Sequence, residues 1–346
     1  MKNLFVAAGF AVVVLFSCSD GNKTPDVSGI KVTLNLHRFD KDFFAIDSNR
    51  IDTSLSELQK KYPTFFTDYL GNILGINRDM IEQGTAPAAI KYFLASYKPL
   101  YDSVQKTFGS FDQPLEEIKK MLQYVRYYFP AYQVPSTVVT FIGPLDASFK
   151  TTLGVQGDIL TPNELGVGLQ LHLGAASNFY TSQQGQELYP LYISKRFEHN
   201  NIALNLAKTI VDDLHPEAED DKPLISRMVD NGKRLYLLER FTPKAPAHQL
   251  IGYTKEQLEG CYKNEALIWD FFIKNNFLQR SDKNVVDYIN EGPKTQELGE
   301  TAPGNIGSFC GWQIVKKYMA NNPSTTMPQL LAMDNEQLFQ TVKYKP

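Results

Sequence analysis

The sequence predicts an α+β protein, mostly helical, with a small sheet of about three strands in the middle of the chain. Three observations carry that prediction. Residues 30–133 and 189–346 place apolar side chains at helical spacing, and residues 134–174 hold strand-like runs separated by Gly and Pro. No internal repeat or low-complexity tract interrupts them. Helices, then a sheet, then helices make an α+β arrangement, here one domain spanning 30–346.

The elements follow in order from the N-terminus. Lys2 supplies a positive charge, and Leu4 to Phe16 form an apolar run too short to span a bilayer. Leu15-Phe16-Ser17-Cys18 then matches a bacterial lipobox. Residues 1–17 are therefore expected to be a cleaved leader, and Cys18 a lipidated first residue. With two or three acyl chains, release from the membrane becomes negligible. The small polar residues of 18–29 read as a flexible tether.

Lys31 to Leu36 alternate as a half-buried strand. Ser54-x-x-Glu57 reads as a capping box, Thr85-Ala86-Pro87 opens a helix, and Pro114 starts another bearing Ile118, Met121, Leu122 and Val125 on one face. Strands are expected at Thr137–Ile142, Phe149–Val155 and Val167–Leu173. Helices are expected at about 201–214, 222–241, 254–276 and 303–321, before two short C-terminal turns.

Composition narrows the function classes. The chain has 35 Lys and Arg against 38 Asp and Glu, a formal charge of −3, and its leader contributes only Lys2. No basic run points to nucleic acid, and no later apolar stretch is long enough to cross a membrane. The expected partners are the membrane, through the anchor, and other envelope proteins. Besides Cys18 only Cys261 and Cys310 occur; they could pair in an oxidising compartment or stay buried thiols.

Familiar catalytic patterns are missing from the sequence. Lys195-Arg196-Phe197-Glu198-His199 fits an inverted His-x-x-Glu-His site except that Lys195 replaces the first ligand, and an ammonium repels zinc. No Gly-x-Ser-x-Gly elbow, P-loop or dinucleotide fingerprint occurs. His37, His172, His199, His215 and His248 are scattered singly. Six carboxylates between Asp212 and Asp221 lack the spacing of a calcium loop. Tyr124, Tyr127, Tyr128, Phe129 and Tyr132 suit either helix packing or a sugar-stacking platform. Neither a metal nor a cofactor is expected.

Several stretches carry a resemblance. They are Met-Val-Asp-Asn-Gly-Lys-Arg-Leu-Tyr-Leu-Leu-Glu at 228–239, Gly252 to Glu259 ahead of Trp269, and Asn-Ile-Gly-Ser-Phe-Cys-Gly-Trp at 305–312. With Arg38-Phe39-Asp40 and Tyr62-Pro63-x-Phe65-Phe66, they resemble the gliding-motility lipoprotein GldB family. That family is similar in turn to predicted zinc peptidases, which implies a zincin-like frame. On that resemblance Asn201 to Val211 stands where the ligand helix would be, and Asn231-Gly232 where a Glu-Gly step would be.

The resemblance therefore implies a pseudo-peptidase frame without its metal, in a lipoprotein of the outer membrane facing the periplasm. It also implies a role in gliding motility and in secretion of surface proteins. Arg196, Asn205, Asn231, Lys233 and Tyr236 are the expected lining of a degenerate binding cleft. Gly232, Gly307 and Gly311 each cost roughly 1 kcal/mol inside a helix, so close helix–helix or helix–ligand approach is expected there. Two alternatives stay open: a zinc metallopeptidase with unrecognised ligands, and a glycan- or solute-binding lipoprotein.

Overall fold

The computed structural model describes residues 24–217 and 221–346. The lipobox and Cys18 lie outside the described residues, as do Glu219 and Asp220 of the acidic run. The described end of the expected tether packs onto the body: Val27 is fully buried, and Gln123 donates to the Ile30 carbonyl at 2.7 Å.

The sheet is larger than three strands. β1 (Asn35–His37), β2 (Thr137–Phe141), β6 (Glu164–Gly168) and β5 (Ile159–Leu160) form one mixed sheet in the order β1-β2-β6-β5. β1 and β6 run parallel to β2, and β5 is antiparallel to β6. β3 (Phe149–Thr151) and β4 (Gly154–Gln156) make a separate hairpin. The single strand expected over Phe149–Val155 is broken there because Gly154 takes a φ of +115°, which other residues rarely adopt. The strand expected at Val167–Leu173 starts three residues earlier and gives way to a 3-10 turn, Leu169–Leu171. Every residue from Leu165 to Leu171 is buried, so alternation could not set its ends.

The link from β1 to β2 is helical. α1 (Phe39–Phe44), α2 (Ile51–Lys61), α3 (Ala86–Ser96), α4 (Lys98–Thr107) and α5 (Asp112–Tyr128) are its principal helices. Ser54 and Glu57 lie inside α2 and cap nothing; the chain turns earlier, where the Asp47 carboxylate accepts from the Asn49 amide at 2.9 Å. Asp40, fully buried on α1, ties this half to the sheet. It accepts two bonds from Arg38, at 2.9 and 2.8 Å, one from Gln105 at 2.9 Å and one from Thr140 at 2.5 Å. A buried carboxylate is tolerable only when so fully bonded.

The C-terminal half contains α6 (Ile202–Leu214), α7 (Leu224–Phe241), α8 (Lys255–Lys263), α9 (Glu265–Lys274), α10 (Ile306–Asn321), α11 (Met327–Ala332) and α12 (Asn335–Val342). The helix expected over 254–276 is two helices, α8 opening on a capping box of Thr254 and Gln257. The break falls at Asn264, whose amide donates to the Gly260 carbonyl at 2.8 Å. α7 and α10 are the most deeply buried pair, and Trp312 and Phe241 are fully buried between their neighbours.

Cys261 and Cys310 are both free and buried, behaving as the small hydrophobes of the second sequence reading. Burial pushes the Cys261 thiol up to about 12, so it stays protonated.

Candidate functional site

At the centre of the C-terminal half, α7 and α10 cross in backbone contact. A Cβ placed on Gly232 would stand 2.2 Å from the Gly311 carbonyl oxygen, and one on Gly311 would stand 1.6 Å from that of Met228. At Gly307 it would meet the Tyr288 carbonyl at 2.9 Å. Of the two reasons expected for these glycines, helix–helix approach accounts for Gly232 and Gly311, whereas Gly307 makes room for the turn at Tyr288 and Ile289. Asn305 opens α10 in the left-handed region, with a φ of +57°.

The five expected cleft residues are buried but do not form one cleft. Asn231 bridges the crossing, donating to Ser308 at 2.8 Å and to the Ile289 carbonyl at 3.3 Å. Lys233 reaches the Met333 carbonyl at 2.5 Å, where α11 has just ended, and burial pushes its ammonium down to about 8. Tyr236 accepts from Arg240 at 2.8 Å, and that guanidinium lies 4.5 Å over its ring. Arg196 is paired with Glu291 beside the Val155 carbonyl of β4. Asn205 lies in the buried part of α6. Asn231 lines a hollow of about 50 Å³ and Arg196 a separate depression of about 240 Å³.

The cleft reading took in one member, Asn205, of a largely buried polar stripe at the start of and along α6. Asn201, Asn205, Lys208 and Asp212 recur at intervals of four, three and four, the spacing of one helix face. Asn201 donates to the Arg196 carbonyl at 3.0 Å. Asp212 accepts from Arg234 at 2.8 Å and from the Thr152 amide at 3.0 Å. Lys208 is only 3% exposed; burial, then the charge of Arg196, pushes its ammonium down to about 7. Neither amide atom of buried Gln156 has a partner.

Arg234, fully buried, also binds Asp230 at 3.0 Å and the Pro216 carbonyl at 3.1 Å. Burial works against the Asp230 carboxylate, but the hydrogen bond from His215 at 2.6 Å and the Arg234 charge hold it down at about 2. A second buried pair joins His172 to Asp158 at 2.9 Å. Among the described residues no group of three or more His, Cys, Asp or Glu could hold a metal ion.

An apolar opening lies elsewhere. A groove of about 470 Å³ runs between α5, the start of α6 and the 241–249 segment. Met121, Tyr124, Leu204 and Phe241 line it. Of the expected aromatic platform, Tyr124 lines this groove and is buried, as is Phe129, whereas Tyr127 is half exposed.

The fold and its interior define a helical α+β protein in which many buried polar side chains bind one another or the backbone. The chain belongs to the family described as gliding motility protein GldB, whose family model matches residues 20–346, nearly the whole chain. This associates it with gliding motility and agrees with a cell-envelope location. No curated protein and no solved structure matches it. Among the described residues no helix is long and apolar enough to cross a membrane.

Proposed function

We propose that the protein is a non-catalytic lipoprotein of the gliding machinery, anchored through Cys18 in the outer membrane on its periplasmic side. It acts by contacts with envelope proteins that secrete or move surface adhesins. One observation carries this reading. Two of the side chains standing where the resemblance puts peptidase ligands are engaged in structural bonds: Asn201 with the Arg196 carbonyl and Asn231 with Ser308 across the crossing. Amides held this way do not substitute for imidazole and carboxylate donors. An exposed apolar face also favours protein contact: Leu267 of α9 is 60% exposed and walls a depression of about 530 Å³.

The test is a strain carrying Cys18→Ala, scored for gliding and for proteins recovered with the chain after crosslinking in cells. The expected result is lost motility and lost recovery of partners with normal protein levels. Full motility from the unlipidated protein would remove tethering from the mechanism. Elemental analysis addresses the non-catalytic half: one equivalent of zinc, with chelator-sensitive peptide cleavage, would overturn it.

A further inference from the structure

The sequence and the geometry bring together an apolar groove, a neighbouring set of cations and the place where the chain leaves for its anchor. We propose that the groove between α5, the start of α6 and the 241–249 segment takes an acyl chain of an anionic lipid from the anchoring leaflet, its head group held by Lys195 and Lys244. This rests on the anchored reading above.

The groove has the size and lining of a ligand site. Its volume of about 470 Å³ lies in the range of roughly 300–1,000 Å³ usual for such sites, and its floor is apolar. Asn201 and Gln249 line both this groove and the 240 Å³ depression beside it, so the two adjoin. The depression contributes Lys195 and the groove Lys244.

The balance of charge selects an anion. Arg196 is neutralised by Glu291, and Lys255 has Glu259 at 3.8 Å. Lys195 and Lys244 have no carboxylate among the described residues within ion-pair distance, and Lys195 donates only to Gln257, at 3.3 Å. Of the acids on the α5 rim, Glu116 pairs with Lys119, and Glu117, which accepts from Gln113, lines the groove together with Lys120, a cation that offsets its charge.

The course of the chain supplies the source of the lipid. Arg126 donates to the Lys31 carbonyl and Gln123 to the Ile30 carbonyl, both at 2.7 Å. Farther back, Asp26 is close enough to Lys120 and Tyr124 for its charge to act on both. Followed towards its N-terminus, the segment thus travels along α5 from the level of Arg126 to that of Lys120, a groove residue. Thr24 lies six residue steps from Cys18, which at full extension span about 20 Å. Anchoring therefore holds the groove near the leaflet at high effective lipid concentration.

The experiment uses the whole mature chain carrying Cys18→Ala, so that any acyl chain seen is a ligand. It is titrated with cis-parinaric acid, whose emission rises in an apolar site. Dodecyl phosphate, dodecanol and an apolar uncharged peptide then compete. We expect saturable binding, displacement by dodecyl phosphate at concentrations at least tenfold below dodecanol, and no displacement by the peptide. Ala203→Trp, which fills the groove, and the paired Lys195→Glu and Lys244→Glu changes should each weaken binding at least tenfold with the circular dichroism melt unchanged.

Absent binding, binding indifferent to both variants, equal competition by dodecanol, or preference for the peptide would each overturn the proposal. The paired lysine change keeps the test decisive if Ala203→Trp fails to fold. Lipid labelling of the wild-type chain in cells separates the two readings. An unacylated Cys18 with intact probe binding overturns the anchor and the leaflet as source, whereas an acylated Cys18 without probe binding overturns the groove alone.

Discussion

Replacing Gly311 by Ala adds one methyl group at the α7–α10 crossing, and the structure gives the balance of effects. On propensity alone the change should stabilise α10 by up to about 1 kcal/mol. Yet the new Cβ would lie 1.6 Å from the Met228 carbonyl oxygen, whereas carbon–oxygen contacts settle near roughly 3.3 Å. The obstacle is backbone, so the helices themselves must part, disturbing the buried contacts of Trp312, Met228 and Ile314. Overpacking of a tight core costs about 3 kcal/mol at the upper end of the usual range, leaving a net loss of about 2 kcal/mol. At roughly 2 °C per kcal/mol for a domain this large, Tm falls by about 4 °C. Gly260→Ala in α8 is the matched control: nothing stands within 4 Å of its Cβ, and it should gain about 0.5–1 kcal/mol. Urea and thermal denaturation of both variants, followed by circular dichroism, make the comparison. A Gly311→Ala protein at least as stable as the parent would refute close backbone approach as the reason for that glycine.

Asp40→Ala should cost about 3–5 kcal/mol, because it strands the Arg38 guanidinium and removes the acceptor of Gln105 and Thr140; the urea midpoint reads it. Asp230 has a folded-state value near 2, below its ordinary 3.8, so its contribution is present above pH 4 and lost as pH falls towards 2. The stability gap between wild type and Asp230→Asn, measured by urea titration, should therefore narrow by about 2 kcal/mol from pH 6 to pH 2. Lys208 runs the other way. Its folded-state value of about 7 lies below the ordinary 10.5, so the unfolded chain holds the proton more tightly and stability rises between pH 7 and 10. Lys208→Met should be more stable than wild type at pH 6 by about 1 kcal/mol or more, with the gap closing towards pH 10 in the same titration.

What was legible in the sequence depended on how local the signal was. The helices α6, α7 and α10 stand close to where periodicity puts them, and Gly232, Gly307 and Gly311 announced a close approach because glycine is costly in a helix interior. The β3–β4 hairpin was hidden because its turn depends on one positive φ at Gly154, within a run of otherwise strand-forming residues. Ser54-x-x-Glu57 misled because the same four residues fit a helix interior as well as a start. Of the polar stripe, Asn201 and Asn205 were legible through the resemblance, whereas Lys208 and Asp212 were not, because a charged residue on a helix more often faces solvent. The groove had no sequence signature at all, since its walls come from 113–124, 200–204 and 241–249. The cleft of five residues failed because position along one helix does not fix direction: Asn231, Lys233 and Tyr236 bind different neighbours.

The obstacle beside Gly311 is a main-chain oxygen, an atom every amino acid carries. Trimming the residue at 228 would therefore make no room for a methyl group, and no partner mutation at the contact can rescue a larger residue there. A suppressor screen begun from Gly311→Ala should return reversion to glycine, or changes that reposition whole helices, and nothing between. In this chain the junction has no gradual route to an alternative.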